Sequence, residues 1–121
     1  MSRIDTVNRI LRDLQTGTPD VEGCALVSED GLMIASALPQ HIDESRVAGM
    51  TATLANLGLR AADELERGSV NQVLVQGSEG HVLMVQASNG TMLLVITSRA
   101  AKLGLIFLDT NRAVSQIAKV L

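Results

Sequence analysis

The 121-residue chain predicts an α+β sandwich, in which a five-stranded antiparallel sheet carries helices on both faces. Three observations predict it. Short apolar runs are joined by Asp-Gly and Asn-Gly turns, the strongest local hairpin signal. Three longer stretches place apolar residues at helical spacing. The strand segments Val82-Leu83-Met84-Val85 and Met92-Leu93-Leu94-Val95-Ile96 are continuously apolar rather than alternating. A sheet with one wet face alternates, whereas one covered on both faces does not. The expected order is α-β-β-α-β-β-β-α, with one helix on one side of the sheet and two on the other.

The first helix opens at a capping pair, Ser2 with Asp5 three residues on. Ile4, Val7, Leu11 and Leu14 form its apolar stripe, and the run Thr16-Gly17-Thr18-Pro19-Asp20 ends it. A hairpin follows, with Cys24–Ser28 and Leu32–Ser36 flanking Glu29-Asp30-Gly31. The second helix is expected from Glu44 to Arg67, with Asp43 as N-cap and Gly68 as C-cap. Val70–Gln76, His81–Ala87 and Thr91–Thr97 read as an antiparallel meander, joined at Gly77-Ser78-Glu79-Gly80 and Ser88-Asn89-Gly90. The last helix runs from Lys102 to Val120, with Ile106, Thr110, Ala113, Ile117 and Val120 on one face. No repeat or linker divides the chain, so residues 1–121 are expected to form one domain.

Composition narrows the function. Hydrophobic residues are 46% of the chain and charged residues only 19%, below the ~25% usual for a soluble domain. That deficit points to surface covered by a partner. Ten Lys and Arg against thirteen Asp and Glu give a net charge of −3, which argues against a nucleic-acid binder. With one Phe and no Tyr or Trp, there is no platform for base stacking. The N-terminal MSRIDTVNRILRDL lacks the apolar core of a signal peptide, and the longest uncharged stretch, Val82 to Ser98, contains Gln86, Asn89 and Gly90. The expectation is a cytoplasmic protein without membrane insertion.

Candidates for chemistry are few. Neither phosphate-cradling motif occurs, and Gly77-Ser78-Glu79-Gly80 lacks the following helix such a loop needs. Cys24 lies in an apolar strand and reads as a buried structural thiol. His41 and His81 are far apart in sequence and read as surface residues rather than metal ligands. Asp63, Glu64 and Glu66 read as a solvated helix face, and Glu29 and Asp30 as turn chemistry. No nucleophile, metal set or cofactor is expected, so the chain is read as a non-enzyme.

The informative segment is the second helix. At 100° per residue, Val47, Met50, Leu54, Leu57, Ala61 and Leu65 form one apolar stripe, and Ala48, Ala52, Ala55, Leu59 and Ala62 form a second beside it. A helix that covers a sheet needs an apolar stripe of only ~100°, and these two together span about twice that. The large residues are expected to cover the sheet and the alanine stripe to pack on a second copy of the chain. The alternative is a helix wholly buried within a monomer. The expected dimer contact is therefore Ala48, Ala52, Ala55, Leu59 and Ala62, with Val70, Gln72 and Leu74 from an unprotected strand edge. The remaining polar arc holds Asn56, Arg60, Asp63 and Arg67.

The chain resembles the Roadblock family, the dynein-light-chain-type regulators of small Ras-like GTPases. The resemblance rests on Val21-Glu22-Gly23-Cys24-Ala25-Leu26-Val27 leading into Glu29-Asp30-Gly31-Leu32-Met33-Ile34-Ala35-Ser36, on the small-residue second helix, on the meander, and on Ala101-Lys102-Leu103-Gly104-Leu105. It implies a profilin-like sandwich that dimerises through the third strand and second helix. It also implies a non-enzymatic platform for a Ras-like GTPase, as in gliding-polarity modules. On that reading Asn56, Arg60, Asp63 and Arg67 are candidate GTPase contacts. Arg60, the one cation in mid-helix, either meets the partner or forms a helical ion pair with Glu64. Two other roles compete with this one: a structural module that recruits a motor or signalling complex without nucleotide dependence, and a small-molecule sensor.

Overall fold

The computed structural model describes residues 2–121. Helix α1 (Arg3–Gly17) starts at the expected capping box: the Asp5 N–H donates to Ser2 Oγ at 3.0 Å, and the Ser2 N–H donates back to the Asp5 carboxylate at 3.3 Å. Strands β1 (Val21–Ser28) and β2 (Met33–Ala37) form the first hairpin, helix α2 covers Glu44–Glu64, and the meander is β3 (Gln72–Gly77), β4 (Gly80–Gln86) and β5 (Thr91–Ser98). Helix α3 is Leu103–Ala118. The sheet order is β2-β1-β5-β4-β3, with every pair antiparallel, so β2 and β3 are the free edges. Element order and sheet are as the sequence predicts.

The continuous apolar strands have the expected cause. Cys24 and Leu26 of β1, Leu83 and Val85 of β4, and Leu93 and Val95 of β5 turn to one face. There they pack on Val7, Leu11 and Leu14 of α1 and Ile106, Ala113 and Ile117 of α3. Their neighbours Ala25, Val27, Met84, Met92 and Leu94 turn to the other face, under Ala48 and Ala55 of α2. Side chains alternate along a strand, so a buried residue at every position means a helix layer on each side.

Several boundaries differ from expectation: β1 begins at Val21 and β2 spans Met33–Ala37, and the ends of α2, β3 and α3 also move. Helix α2 stops at Glu64, not Arg67: Glu66 takes a left-handed φ of 55°, the Arg67 N–H donates to the Ala62 carbonyl at 2.7 Å, and the Glu66 N–H to Asp63 at 3.1 Å. That pair of bonds is a Schellman stop, closed by Glu66 two residues before Gly68. Arg67 therefore lies beyond the helix. Strand β3 begins at Gln72, so Val70 belongs to the connection rather than to the strand edge. Helix α3 is shorter at both ends, with Lys102 and Lys119 as its caps.

Candidate functional site

The surface of interest is built by α2 and the free edge of β3. Helix α2 starts where Asp43 accepts from the Arg46 N–H at 3.2 Å. The sheet beneath it presents Met84, Met92 and Leu94, which fill the space between layers and leave room only for small helix residues. Ala48 is 1% exposed, Ala55 4%, and Ala52 is also buried. Thr51 is buried with them because its hydroxyl donates to the Val47 carbonyl at 2.8 Å. This reverses the expected roles of the two stripes. Ala48, Ala52 and Ala55 are buried within this chain, Ala48 and Ala55 against its sheet, and are unavailable to a second copy, while the large residues other than the half-buried Val47 face outward. Met50 is 54% exposed, Leu57 52% and Leu65 66%, with Leu54 and Ala61 exposed between them. Leu59 is exposed and Ala62 half-buried at the margin of the alanine stripe.

The outward stripe adjoins Gly58, the residue of α2 that abuts Val73 of β3. Helix flank and strand edge therefore border one surface. Val73 and Val75 of β3 turn to the α2 side, and Val75 is exposed. Leu74 turns the other way, half-buried with the α1 and α3 core. The segment Gln72-Val73-Leu74-Val75-Gln76-Gly77 holds no charge and no proline, the devices by which sheets ordinarily protect an edge. Between this edge and the end of α2 lies an open groove of about 620 Å³, lined by Gly58, Ala62, Val70, Asn71, Gln72 and Val73.

Asn56, Arg60 and Asp63 are exposed on the outward polar arc of α2. Arg67 leaves that arc: its Nε donates to the Leu65 carbonyl at 2.9 Å, which sets its cation against the negative end of the helix. Among the described residues the one ion pair is Arg112 with Asp109, at 3.5 Å. Arg60 thus stands apart from Glu64, with its donors open to solvent.

The remaining candidates resolve simply. Cys24 is fully buried, and its thiol donates to the Leu11 carbonyl at 3.1 Å. Burial pushes its pKa up to about 12, the state of an inert thiol. His41 is exposed, but His81 is half-buried, and its Nδ1 lacks a partner. Glu29 and Asp30 lie at the exposed hairpin tip, where the Ser28 hydroxyl donates to Asp30 and holds its carboxyl below the usual range. No group of three His, Cys, Asp or Glu residues able to hold a metal occurs among the described residues. Among the described residues no helix is long and apolar enough to cross a membrane.

Comparison with known proteins agrees with this architecture. The Roadblock/LC7 domain model matches residues 7–97. A relative from Methanocaldococcus jannaschii, MJ0310, is 35% identical over 111 residues, which is 92% of this chain and 96% of its own. Among solved structures, MglB of Myxococcus xanthus superposes with a TM-score of 0.90 at 22% identity, covering 97% of this chain and 88% of that one. Profilin IA of Acanthamoeba castellanii superposes at 0.63 with 14% identity, over 93% of this chain and 96% of the profilin, so the sandwich is profilin-like. By the span of the domain match and the identity to its relative, the chain belongs to the Roadblock/LC7 family.

Proposed function

We propose that this chain is a non-enzymatic homodimeric adaptor that binds a small Ras-like GTPase and modulates its nucleotide cycle or its placement in the cell. One observation carries the dimer: the exposed stripe Met50, Leu54, Leu57, Ala61 and Leu65 borders the uncharged free edge of β3. A second copy related by a two-fold axis perpendicular to the sheet would cover both at once, pairing β3 with β3 and α2 with α2. Such a contact is isologous and closes on itself. It removes the large aliphatic side chains from water at about 25 cal/mol per Å².

The GTPase reading rests on family membership and on the form of the remaining surface. The two α2 helices would present their outward arcs, with Thr53, Asn56, Arg60 and Asp63 of each copy, as one broad face. Arginine is enriched at interface cores, and Arg60 has no ion-pair partner among the described residues. An adaptor needs no reacting group of its own. It shifts the nucleotide cycle to the extent that it binds one state of the GTPase more tightly than the other.

Sedimentation at micromolar concentration should give twice the 12.8 kDa chain mass; a monomer overturns the dimer. Calorimetry should then be run with the Ras-like GTPases encoded in the same genome, loaded with GDP or a GTP analogue. Binding to at least one of them, in a nucleotide-dependent manner, is expected. An intact dimer that binds none of them would instead favour a recruitment module without nucleotide dependence.

A further inference from the structure

Charge is divided unequally between the α1/α3 layer and the rest of the chain. Helices α1 and α3 with their caps carry Arg3, Arg9, Arg12, Lys102, Arg112 and Lys119 against Asp5, Asp13 and Asp109: six cations and three carboxylates, a net of +3. The rest of the chain carries the other four cations and ten carboxylates, a net of −6, and the two parts give the −3 of the whole. Two of the three carboxylates in the helix layer are engaged. Asp5 closes the capping box, and Asp109 accepts from the Thr18 hydroxyl at 2.8 Å while facing Arg112. Arg9, Arg12 and Lys119 are exposed and make no ion pair among the described residues.

The cations share their face with apolar residues. On α3, Leu105, Leu108, Arg112 and Lys119 recur three, four and seven residues apart, and all four are exposed. That spacing keeps them on one side, away from the buried Ile106, Thr110, Ala113 and Ile117. On α1, Arg9 and Arg12 lie opposite the buried Val7, Ile10, Leu11 and Leu14. Basic residues interleaved with leucines on one flat face are the composition of an interfacial membrane anchor.

We propose that the α1/α3 layer is a peripheral docking face for an anionic lipid surface. Arg9, Arg12, Arg112 and Lys119, all exposed, meet the headgroups, and Leu105 and Leu108 enter the boundary between headgroup and acyl chain. A second copy of this face is a poor occupant because two layers of +3 repel. Contact with the acidic remainder of another copy is heterologous and would build open chains rather than a closed assembly. Nucleic acid fits less well than lipid: the face has no Tyr or Trp to stack on bases, and its leucines would gain nothing against phosphates. If the dimer proposed above forms, its two-fold axis places both α1/α3 layers on the same side of the joined sheet and doubles the attraction. That doubling rests on the dimer; the docking face itself does not.

Co-sedimentation of the full chain with vesicles tests this, comparing phosphatidylcholine alone with phosphatidylcholine containing a third phosphatidylglycerol. Binding to the anionic vesicles is expected at about 50 mM salt and should fall by roughly tenfold or more at about 1 M, where charges are screened within ~3 Å. The pair Arg9→Glu and Arg12→Glu should lower the partition by roughly tenfold or more. Leu108→Ser should lower it several-fold while leaving its salt dependence unchanged. Arg112→Glu with Lys119→Glu provides a second charge reversal, and circular dichroism confirms that each variant is folded. Absence of binding to anionic vesicles at low salt overturns the proposal. So does full binding by Leu108→Ser together with equally tight binding of duplex DNA, which would mark a general polyanion face. Dimerisation and GTPase binding are read by sedimentation and calorimetry without lipid, so the failure of either is distinguishable from the failure of this face.

Discussion

A Cβ placed on Gly58 of α2 would stand 2.8 Å from Cγ2 of Val73 on β3, so helix and strand meet there at a distance that only glycine permits. In a helix interior, glycine ordinarily costs about 1 kcal/mol relative to alanine. Here close approach offsets that cost. Gly58→Ala should recover the propensity but lose about 1–3 kcal/mol to overpacking, because Val73 is β-branched and turns aside poorly. The expected outcome is a variant about 1 kcal/mol less stable in urea unfolding at fixed protein concentration. Combining it with Val73→Ala should show a coupling of at least ~0.5 kcal/mol. A Gly58→Ala protein as stable as the parent would mean that the layers are not held this closely.

The reversal of the two stripes on α2 separates two substitutions. Ala55→Glu places a charge among Ala25, Met84 and Leu94, where burial without a partner costs several kcal/mol. It should lower the melting temperature of the subunit itself. Leu57→Glu puts the charge on the outward stripe, where an isolated subunit tolerates it within about 0.5 kcal/mol. It should leave the circular dichroism spectrum unchanged and shift sedimentation from dimer to monomer. A Leu57→Glu protein that stays dimeric would move the contact off this stripe.

The element order was legible in the sequence because its determinants are local. Ser2 with Asp5, Asp30-Gly31 and Asn89-Gly90 each fix a turn or cap within a few residues, and the strands declare that both their faces are covered. Which stripe of α2 faces the sheet is not local. Helical periodicity gives the angle between the stripes, whereas the space left for the helix is set by Met84, Met92 and Leu94, some thirty to forty residues away. Of the two glycines that the sequence places within α2, Gly49 and Gly58, only Gly58 marks a close approach. The end of α2 was misplaced for a similar reason: glycine is the expected residue at a left-handed stop, but Glu66 adopts that conformation instead.

The buried thiol predicts a pH dependence with a defined sign. Cys24 has an ordinary pKa of 9.0, raised to about 12 in the folded chain by burial. Below the ordinary value both states keep the proton and stability is unaffected. Between about pH 9 and 12 the unfolded chain loses the proton while the folded chain keeps it, so stability falls as pH rises, by roughly 1.4 kcal/mol per unit. Urea unfolding at steps from pH 8 to 10.5 should show this slope, and Cys24→Ala should flatten it. In the native state a thiol reagent at pH 8 should react far more slowly than in urea. Rapid native labelling would show that Cys24 is reached by solvent.

Arg60 is the residue on which the GTPase surface is most directly tested. It is exposed on the outward arc of α2, its ion pair with Glu64 is not formed, and Asn56 and Asp63 lie on the same arc. A guanidinium with free donors can take a carboxylate in bidentate geometry, so burial against an acidic group of a partner would make it an anchor. Arg60→Ala removes no ion pair or side-chain hydrogen bond among the described residues, so both fold and dimer should survive, as sedimentation would verify. Calorimetry against the GTPase should then show a loss of about 1–2 kcal/mol, the range that marks an anchor residue. A drop in stimulated hydrolysis larger than the loss of binding would assign the side chain to the nucleotide site itself, since a group acting only in the transition state lowers rate without lowering affinity. Unchanged affinity and unchanged hydrolysis would shift the docking surface to the exposed hairpin at Glu29, Asp30 and Leu32, which flanks α2 where Gly31 approaches Gly49.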